Sequence, residues 1–301
     1  MTKLGLIGTG LMGLPIAQRL LSTGFMLTAY NRTADKAEPL RTAGATIAPT
    51  VPELLINCEA IILTLSDATA IQSLLLTPQN QPYLKDRMVI QIGTIAPAES
   101  QTIAQAVVAA GGQYLEAPVL GSLPEAKSGT LLVMVGGDQE QFQQWLPLFQ
   151  QLGANPRWIG PVGTAAALKL ALNQLIGSLT TGFALSLGLV LQHGVEVECF
   201  MDILRQSALY APTFDKKLAR MLDRNFENPN FPTKHLLKDM NLFITAARAV
   251  GLKTDSADGI QAVLLEAIQK SLAELDYSAL FSAVNPATIS KTDDHQSGST
   301  T

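Results

Sequence analysis

Along the first half of the chain, short β-rich, mostly apolar runs alternate with segments in which apolar residues recur at helical spacing. The runs at 3–7, 26–30, 60–65, 88–92 and 131–135 predict strands, and the segments at 15–22, 34–43 and 98–110 predict helices. This alternation is the signature of βαβ units on a largely parallel sheet. Strands in such a sheet are covered on both faces, which explains why they read as near-continuous apolar runs and not as alternating ones. From Gly163 onward the strand signal stops. A proline-free run over 164–193, closed by Gly194 as a C-cap, predicts one long helix, and an all-α region follows it. Two prolines and two asparagines interrupt that region at 227–232, and helix resumes at Thr233 or Lys234. After Pro286 the composition turns to Ser, Thr, Asp and Gly, which predicts a disordered tail. The expected organisation is an α/β domain over 1–163, a connecting helix over 164–193, an all-α domain over 194–286 and the tail over 287–301.

Composition agrees with two domains, since 301 residues is twice the ~150 usual for one. Hydrophobic residues make up 47% and charged residues 15%, far from the profile of a disordered chain or a coiled coil. Lys and Arg number 21 against 25 Asp and Glu, with no long run of either sign. That argues against nucleic acid as a partner, because neutralising phosphates takes clustered basic residues. Cys58 and Cys199 stand far apart without CxxC or His–Cys spacing, so a disulfide framework and a zinc site are both disfavoured. Both are expected to be buried thiols of a cytoplasmic protein. The N-terminal apolar run is too short and wrongly flanked for a secretory signal.

The segment 170–191 contains no charged residue and is long enough to span a bilayer. Asn173, Gln174, Ser178, Thr180, Thr181 and Ser186 are scattered along it, and it lacks the aromatic and basic anchors of a membrane span. It is expected instead to be a helix buried on most faces between domains, with no membrane partner.

Candidate chemistry begins at Gly8-Thr9-Gly10-Leu11-Met12-Gly13, a GxGxxG motif directly after the first strand and before the first helix. In a dinucleotide-binding loop the first glycine makes the tight turn, the second admits a pyrophosphate, and the third lets helix pack on strand. The helix N-terminus supplies N–H donors. Eighteen residues past Gly13, where an acidic residue would hold the ribose hydroxyls of NAD, the chain reads Asn31-Arg32-Thr33. Asn and Thr can donate, and the Arg32 guanidinium can pair with a 2′-phosphate or stack on adenine, which favours NADP(H) over NAD(H). The plain alternative, with Asp35 nearby, is that Arg32 is a solvated surface charge.

At the start of the long helix, Gly160-Pro161-Val162-Gly163 precedes Lys169 and Asn173, which share a helix face. A lysine on an apolar helix is desolvated, and desolvation lowers its pKa toward the range useful to an acid/base catalyst. The plain alternative is a lysine snorkelling outward. The cluster Lys234-His235-Leu236-Leu237-Lys238-Asp239 likewise reads either as a site or as the solvated face of an amphipathic helix. His193, His235 and His295 have no partners at ligand or triad spacing, which disfavours metalloenzyme and hydrolase chemistry.

Over residues 3–285 these motifs together resemble the β-hydroxyacid dehydrogenase family, which includes 3-hydroxyisobutyrate dehydrogenases and glyoxylate and succinic semialdehyde reductases. The resemblance is carried by Leu6-Ile7-Gly8-Thr9-Gly10-Leu11-Met12-Gly13 and by Glu116-Ala117-Pro118-Val119 with Gly129-Thr130-Leu131. Gly160-x-x-Gly163-x5-Lys169-x3-Asn173 and Lys238-Asp239 complete it. It implies a Rossmann domain, a long interdomain helix and an all-α C-terminal domain that also serves dimerisation, in a homodimer or homotetramer. It further implies Lys169 as general acid/base, Asn173 positioning it and the substrate, Lys238 approaching the cofactor and Asp239 at the same cleft. Leu65, Ser66 and Thr94 would touch the dinucleotide, and Phe231 would close the substrate pocket. The implied reaction interconverts a small 3-hydroxy acid and its semialdehyde, with glyoxylate or succinic semialdehyde as alternative substrates. An imine reductase and a non-catalytic NADP-binding dimerisation module are the other readings, and both groups usually lack a lysine at position 169. Two departures stand out. Leu120 replaces a serine whose hydroxyl meets the substrate carboxylate, leaving Gly121 and Ser122 as substitutes, and Gly93-Thr94 replaces Ser-Thr.

Overall fold

The computed structural model describes residues 2–286, so the tail expected at 287–301 lies outside the described residues. Nine strands form one sheet: β1 (Lys3–Ile7), β2 (Met26–Tyr30), β3 (Thr46–Ile47), β4 (Ala60–Leu63), β5 (Met88–Gln91), β6 (Gln113–Glu116), β7 (Val119–Leu120), β8 (Leu132–Gly136) and β9 (Arg157–Gly160). Their order is β3-β2-β1-β4-β5-β6-β8-β7, with β9 paired to β8. The first six strands are parallel, and β8 runs antiparallel to both β6 and β7. The helices are α1 (Gly13–Ser22), α2 (Glu38–Thr42), α3 (Val51–Asn57), α4 (Ala68–Leu75), α5 (Pro97–Ala109), α6 (Leu123–Ser128) and α7 (Gln139–Leu152). The remainder are α8 (Thr164–Gln192), α9 (Val197–Gln206), α10 (Pro212–Leu222), α11 (Thr233–Ala249), α12 (Asp255–Gln269) and α13 (Phe281–Val284).

Strand geometry sends alternate side chains to opposite faces, and here both faces are covered. Leu4, Leu6, Ala60, Ile62, Met88 and Ile90 enter one core. Ile7, Ile61, Leu63 and Val89, from the same strands, enter the other. The strands β3, β6, β7 and β9 are additions to the sequence expectation. They are short or end in polar residues, so no apolar run announces them.

Among the described residues two compact units result, the first made of 2–175 with 238–257 and the second of 176–237 with 258–286. All nine strands belong to the first. In the second, Phe183 stacks on Phe214 at 4.7 Å, and Lys217 forms a buried 2.7 Å ion pair with Asp276. The long helix ends as expected, with Gly194 at φ +68°.

Two expectations need correction. Cys58 is buried, whereas Cys199 is exposed, because α9 turns only Met201 fully inward. The long helix is not buried on most faces: only 39% of its most apolar window is covered within the chain.

Candidate functional site

Parallel strands present their carboxyl ends on one edge, where loops from different strands converge. After β1, Gly8 turns at φ +105°, and a Cβ there would lie 2.9 Å from the Thr64 carbonyl oxygen. A Cβ on Gly13 would lie 2.1 Å from the Gly8 carbonyl oxygen, so close helix–strand packing requires this glycine. A Cβ on Gly10 would meet nothing within 4 Å. The protein's own packing therefore does not demand a glycine at position 10, but a ligand lying on the loop would. Two further observations fit a dinucleotide. The Thr9 Oγ1 is buried without a partner, and α1 begins with no side-chain cap and no acidic residue in its first turn, leaving N–H donors for an anion. Leu11 is exposed on the same loop and Met12 is the N-cap residue.

Asn31 is committed to the loop itself. Its Oδ1 accepts from the Thr9 amide at 3.1 Å, and its Nδ2 donates to the Thr33 carbonyl at 2.8 Å. Arg32 and Thr33 are exposed beside it.

The loops after β4 and β5 are tied together by one side chain. Lys238 Nζ donates to the Ser66 carbonyl at 2.9 Å and to the Thr94 carbonyl at 2.8 Å, and it pairs with Asp239 Oδ1 at 3.0 Å. The Ser66 hydroxyl donates to Asp67 at 2.7 Å, a bond that holds the Asp67 carboxyl below its ordinary pKa. Gly93 is clamped by the buried Gln91 amide, which accepts from its N–H at 2.8 Å and donates to its carbonyl at 2.7 Å. A Cβ at Gly93 would sit 2.5 Å from the Leu65 carbonyl oxygen. The departure from the family's serine thus has a packing cause.

From α8, Asn173 Nδ2 donates to Asp239 Oδ2 at 2.6 Å, and both side chains are buried. Lys169, one turn earlier on the same face, has its pKa lowered to about 8. Burial is the main cause; Lys238 acts in the same direction, and the Asp239 carboxylate opposes it. Lys169, Asn173, Lys238, Asp239, Ser66 and Thr94 are therefore one constellation, with an amine able to carry or release a proton near neutral pH. In the 234–239 cluster the contacts differ: Lys234 pairs with Glu274 on an exposed face, while Lys238 and Asp239 pair with each other beside Asn173 and the two loops.

Ser122 is engaged locally. Its amide donates to Glu125 Oε2 at 2.8 Å and its hydroxyl to the same oxygen at 3.2 Å, while Gly121 precedes it at φ +132° and Leu120 ends β7. A substrate carboxylate would have to displace Glu125 to use these donors. Phe231 belongs to the second unit, where its ring packs 5.8 Å from Tyr277. The sequence reading missed Gln91, Thr64, whose hydroxyl donates to the Gly8 carbonyl at 2.5 Å, and Glu116 as a structural anchor. Their one signal is a polar side chain within or next to an apolar run.

Residues 3–160 match the family described as the NAD binding domain of 6-phosphogluconate dehydrogenase, and residues 163–284 match that described as NAD-binding of NADP-dependent 3-hydroxyisobutyrate dehydrogenase. Glyoxylate/succinic semialdehyde reductase 1 of Arabidopsis thaliana is 32% identical over 94% of this chain and 98% of its own. The cytokine-like nuclear factor N-PAC of Homo sapiens is 31% identical over 93% of this chain, which spans about half (51%) of that relative. The 3-hydroxyisobutyrate dehydrogenase structure from Mycobacterium tuberculosis shares the fold, with a TM-score of 0.85 at 20% identity, covering 93% of this chain and 98% of that one. With the dinucleotide loop and the lysine–asparagine helix in place, the chain belongs to the β-hydroxyacid dehydrogenase family of NAD(P)-dependent oxidoreductases.

Proposed function

We propose that this protein is an NADP(H)-dependent reductase and dehydrogenase that interconverts a small 3-hydroxy acid and its semialdehyde, with Lys169 as general acid/base. The observation that carries the reading is Lys169, whose pKa falls to about 8 within the Asn173–Asp239 arrangement. A bound nicotinamide supplies or accepts the hydride. Gly8, Gly10, Gly13, the Thr9 hydroxyl and the amides opening α1 would hold its dinucleotide, and Lys238 would fix the two loops that border it. In the reducing direction, the Lys169 ammonium donates its proton to the oxygen of the substrate carbonyl as charge develops there. In the oxidising direction, the neutral amine takes the hydroxyl proton. Asn173, held by Asp239, fixes the face of α8 from which Lys169 acts.

The test is NADPH oxidation with glyoxylate, succinic semialdehyde, methylmalonate semialdehyde and an uncharged aldehyde of equal length. The last is included because Ser122 is engaged by Glu125 and Leu120 brings no hydroxyl. Turnover with at least one carboxylated aldehyde is expected. Tight NADPH binding with no turnover on any aldehyde would instead identify a binding module.

The cofactor preference is supported by the lack of a carboxylate at Asn31-Arg32-Thr33 and by the exposed Arg32 guanidinium. Arg32→Ala is expected to raise KM for NADPH about tenfold and leave KM for NADH nearly unchanged, the loss of one charge-assisted phosphate contact. Equal effects on both cofactors would refute the preference.

The exposed Leu175, Leu179, Leu185 and Leu189, four, six and four residues apart, fall on one side of α8 as a broad apolar stripe. A second copy of the chain is the cover we propose for it, in a homodimer or homotetramer, since the opposite face of the same helix holds the buried Asn173, Thr180 and Thr181. Replacing Leu185 and Leu189 together by Glu is expected to yield monomers in sedimentation velocity. A wild-type protein already monomeric at micromolar concentration would overturn this.

A further inference from the structure

Glu116 ends β6 buried, at 2% exposure, and plays no part in the proton transfer described above. Two residues earlier on the same face stands Tyr114, and both meet Ser100 of α5. The Ser100 hydroxyl donates to Glu116 Oε2 and accepts from the Tyr114 hydroxyl at 2.9 Å, and burial holds the Tyr114 pKa above its ordinary value so that it stays a donor. The other carboxylate oxygen faces α8. Oε1 accepts from the amides of Gly163 at 2.9 Å, Ala165 at 2.8 Å and Ala166 at 3.1 Å. These are among the N–H groups that a helix leaves without internal partners, and a carboxylate there also meets the positive end of the helix dipole. The cap comes from 47 residues upstream. Gly136 makes room for it: a Cβ at that position would lie 2.4 Å from Oε1.

Ala165, Lys169 and Asn173 follow one another at i+4, so the anchored turn and the proton donor share one stripe of α8. We propose that Glu116 is a positioning residue: by capping the first turn of α8 from the sheet, it fixes the register and burial of Lys169. The inference rests on the reading of Lys169 as the proton donor. Removal of the carboxylate frees the first turn, admits water around Lys169, and moves the ammonium relative to the substrate.

The experiment compares Glu116→Ala, Gly136→Ala and Glu116→Gln by amide hydrogen exchange, by NMR titration of the Lys169 side chain, and by kinetics. Gly136→Ala displaces the carboxylate without deleting it, and keeps the test informative should Glu116→Ala fail to fold. In both alanine variants, exchange at Ala165 and Ala166 is expected to accelerate at least about tenfold, the mark of local opening. Lys169 should titrate above about 8, toward the ordinary lysine value of about 10.4. Turnover should fall between about tenfold and about a hundredfold, the upper figure being the scale of a one-ångström misplacement, with NADPH affinity little changed. Glu116→Gln keeps an acceptor oxygen for the three amides and is expected to retain amide protection and the Lys169 titration. Unchanged exchange and titration in the alanine variants would overturn the proposal, as would a glutamine variant that behaves like alanine. Exchange and titration are read without turnover, whereas failure of the Lys169 reading would appear as an active Lys169→Ala enzyme.

Discussion

Lys169→Ala is expected to lower kcat for aldehyde reduction by about 10² to 10⁴, the usual contribution of a positioned general acid, with NADPH affinity within about threefold of wild type. The pH profile gives the sign of the same assignment. An ammonium with a pKa of about 8 is protonated below that value, so reduction should proceed at full rate at lower pH and decline as pH rises through about 8. Oxidation needs the neutral amine and should rise through the same point. Asp239 opposes the lowering, so Asp239→Asn should move both limbs to lower pH. A variant lacking the lysine that retains near-normal turnover would remove the acid/base role, and a limb unmoved by Asp239→Asn would remove the electrostatic account of it. Both profiles are best measured at fixed ionic strength, since salt screens the Lys238 contribution unevenly.

Gly10→Ala and Gly13→Ala are expected to fail in different ways. At Gly13 a Cβ falls 2.1 Å from the Gly8 carbonyl oxygen and 2.5 Å from Thr64 Oγ1, so backbone must move. Overpacking of that kind costs about 1–3 kcal/mol, or more where backbone is involved, and Tm should drop by several degrees together with cofactor binding. At Gly10 the added methyl enters open space. Its Tm in the absence of cofactor should match wild type, while Kd for NADPH rises at least about tenfold because the methyl occupies the approach of the pyrophosphate. Calorimetry and a fluorescence titration on the two variants distinguish the cases. Normal NADPH affinity in Gly10→Ala would place the dinucleotide elsewhere.

Much of this was legible in the chain. The runs at 3–7 and 26–30 coincide with β1 and β2 to the residue, because turn residues bound them: Gly8 closes the first, and Gly24 and Asn31 flank the second. The long helix was legible because the thirty residues 164–193 contain no proline and Gly194 follows them as a C-cap. Residues whose role depends on distant backbone were not. Lys234 and Lys238 stand one turn apart on one helix, and only the loops after β4 and β5 give the second its carbonyl partners. Glu116 reads as the polar end of a short strand until the α8 amides are brought to it. Ser122 looked free to meet a ligand, but Glu125, three residues on, completes a capping box with it. The exposed leucines of α8 were hidden by the opposite problem: a helix apolar all round carries no moment to show which face the chain leaves open.

The close approach of Gly93 to the Leu65 carbonyl oxygen has a consequence for how this site can evolve. Serine at position 93 is a coupled change and not a single step, because its Cβ conflicts with a peptide on another loop. Restoring the hydroxyl of related enzymes requires a compensating shift at Leu65 and Ser66, and a loosening of the Gln91 clamp as well. Gly93→Ser alone should therefore be deleterious even if the hydroxyl itself is useful, and the benefit should emerge only in combination. The two loops are sterically coupled at this point, and a side chain at position 93 requires both to change together.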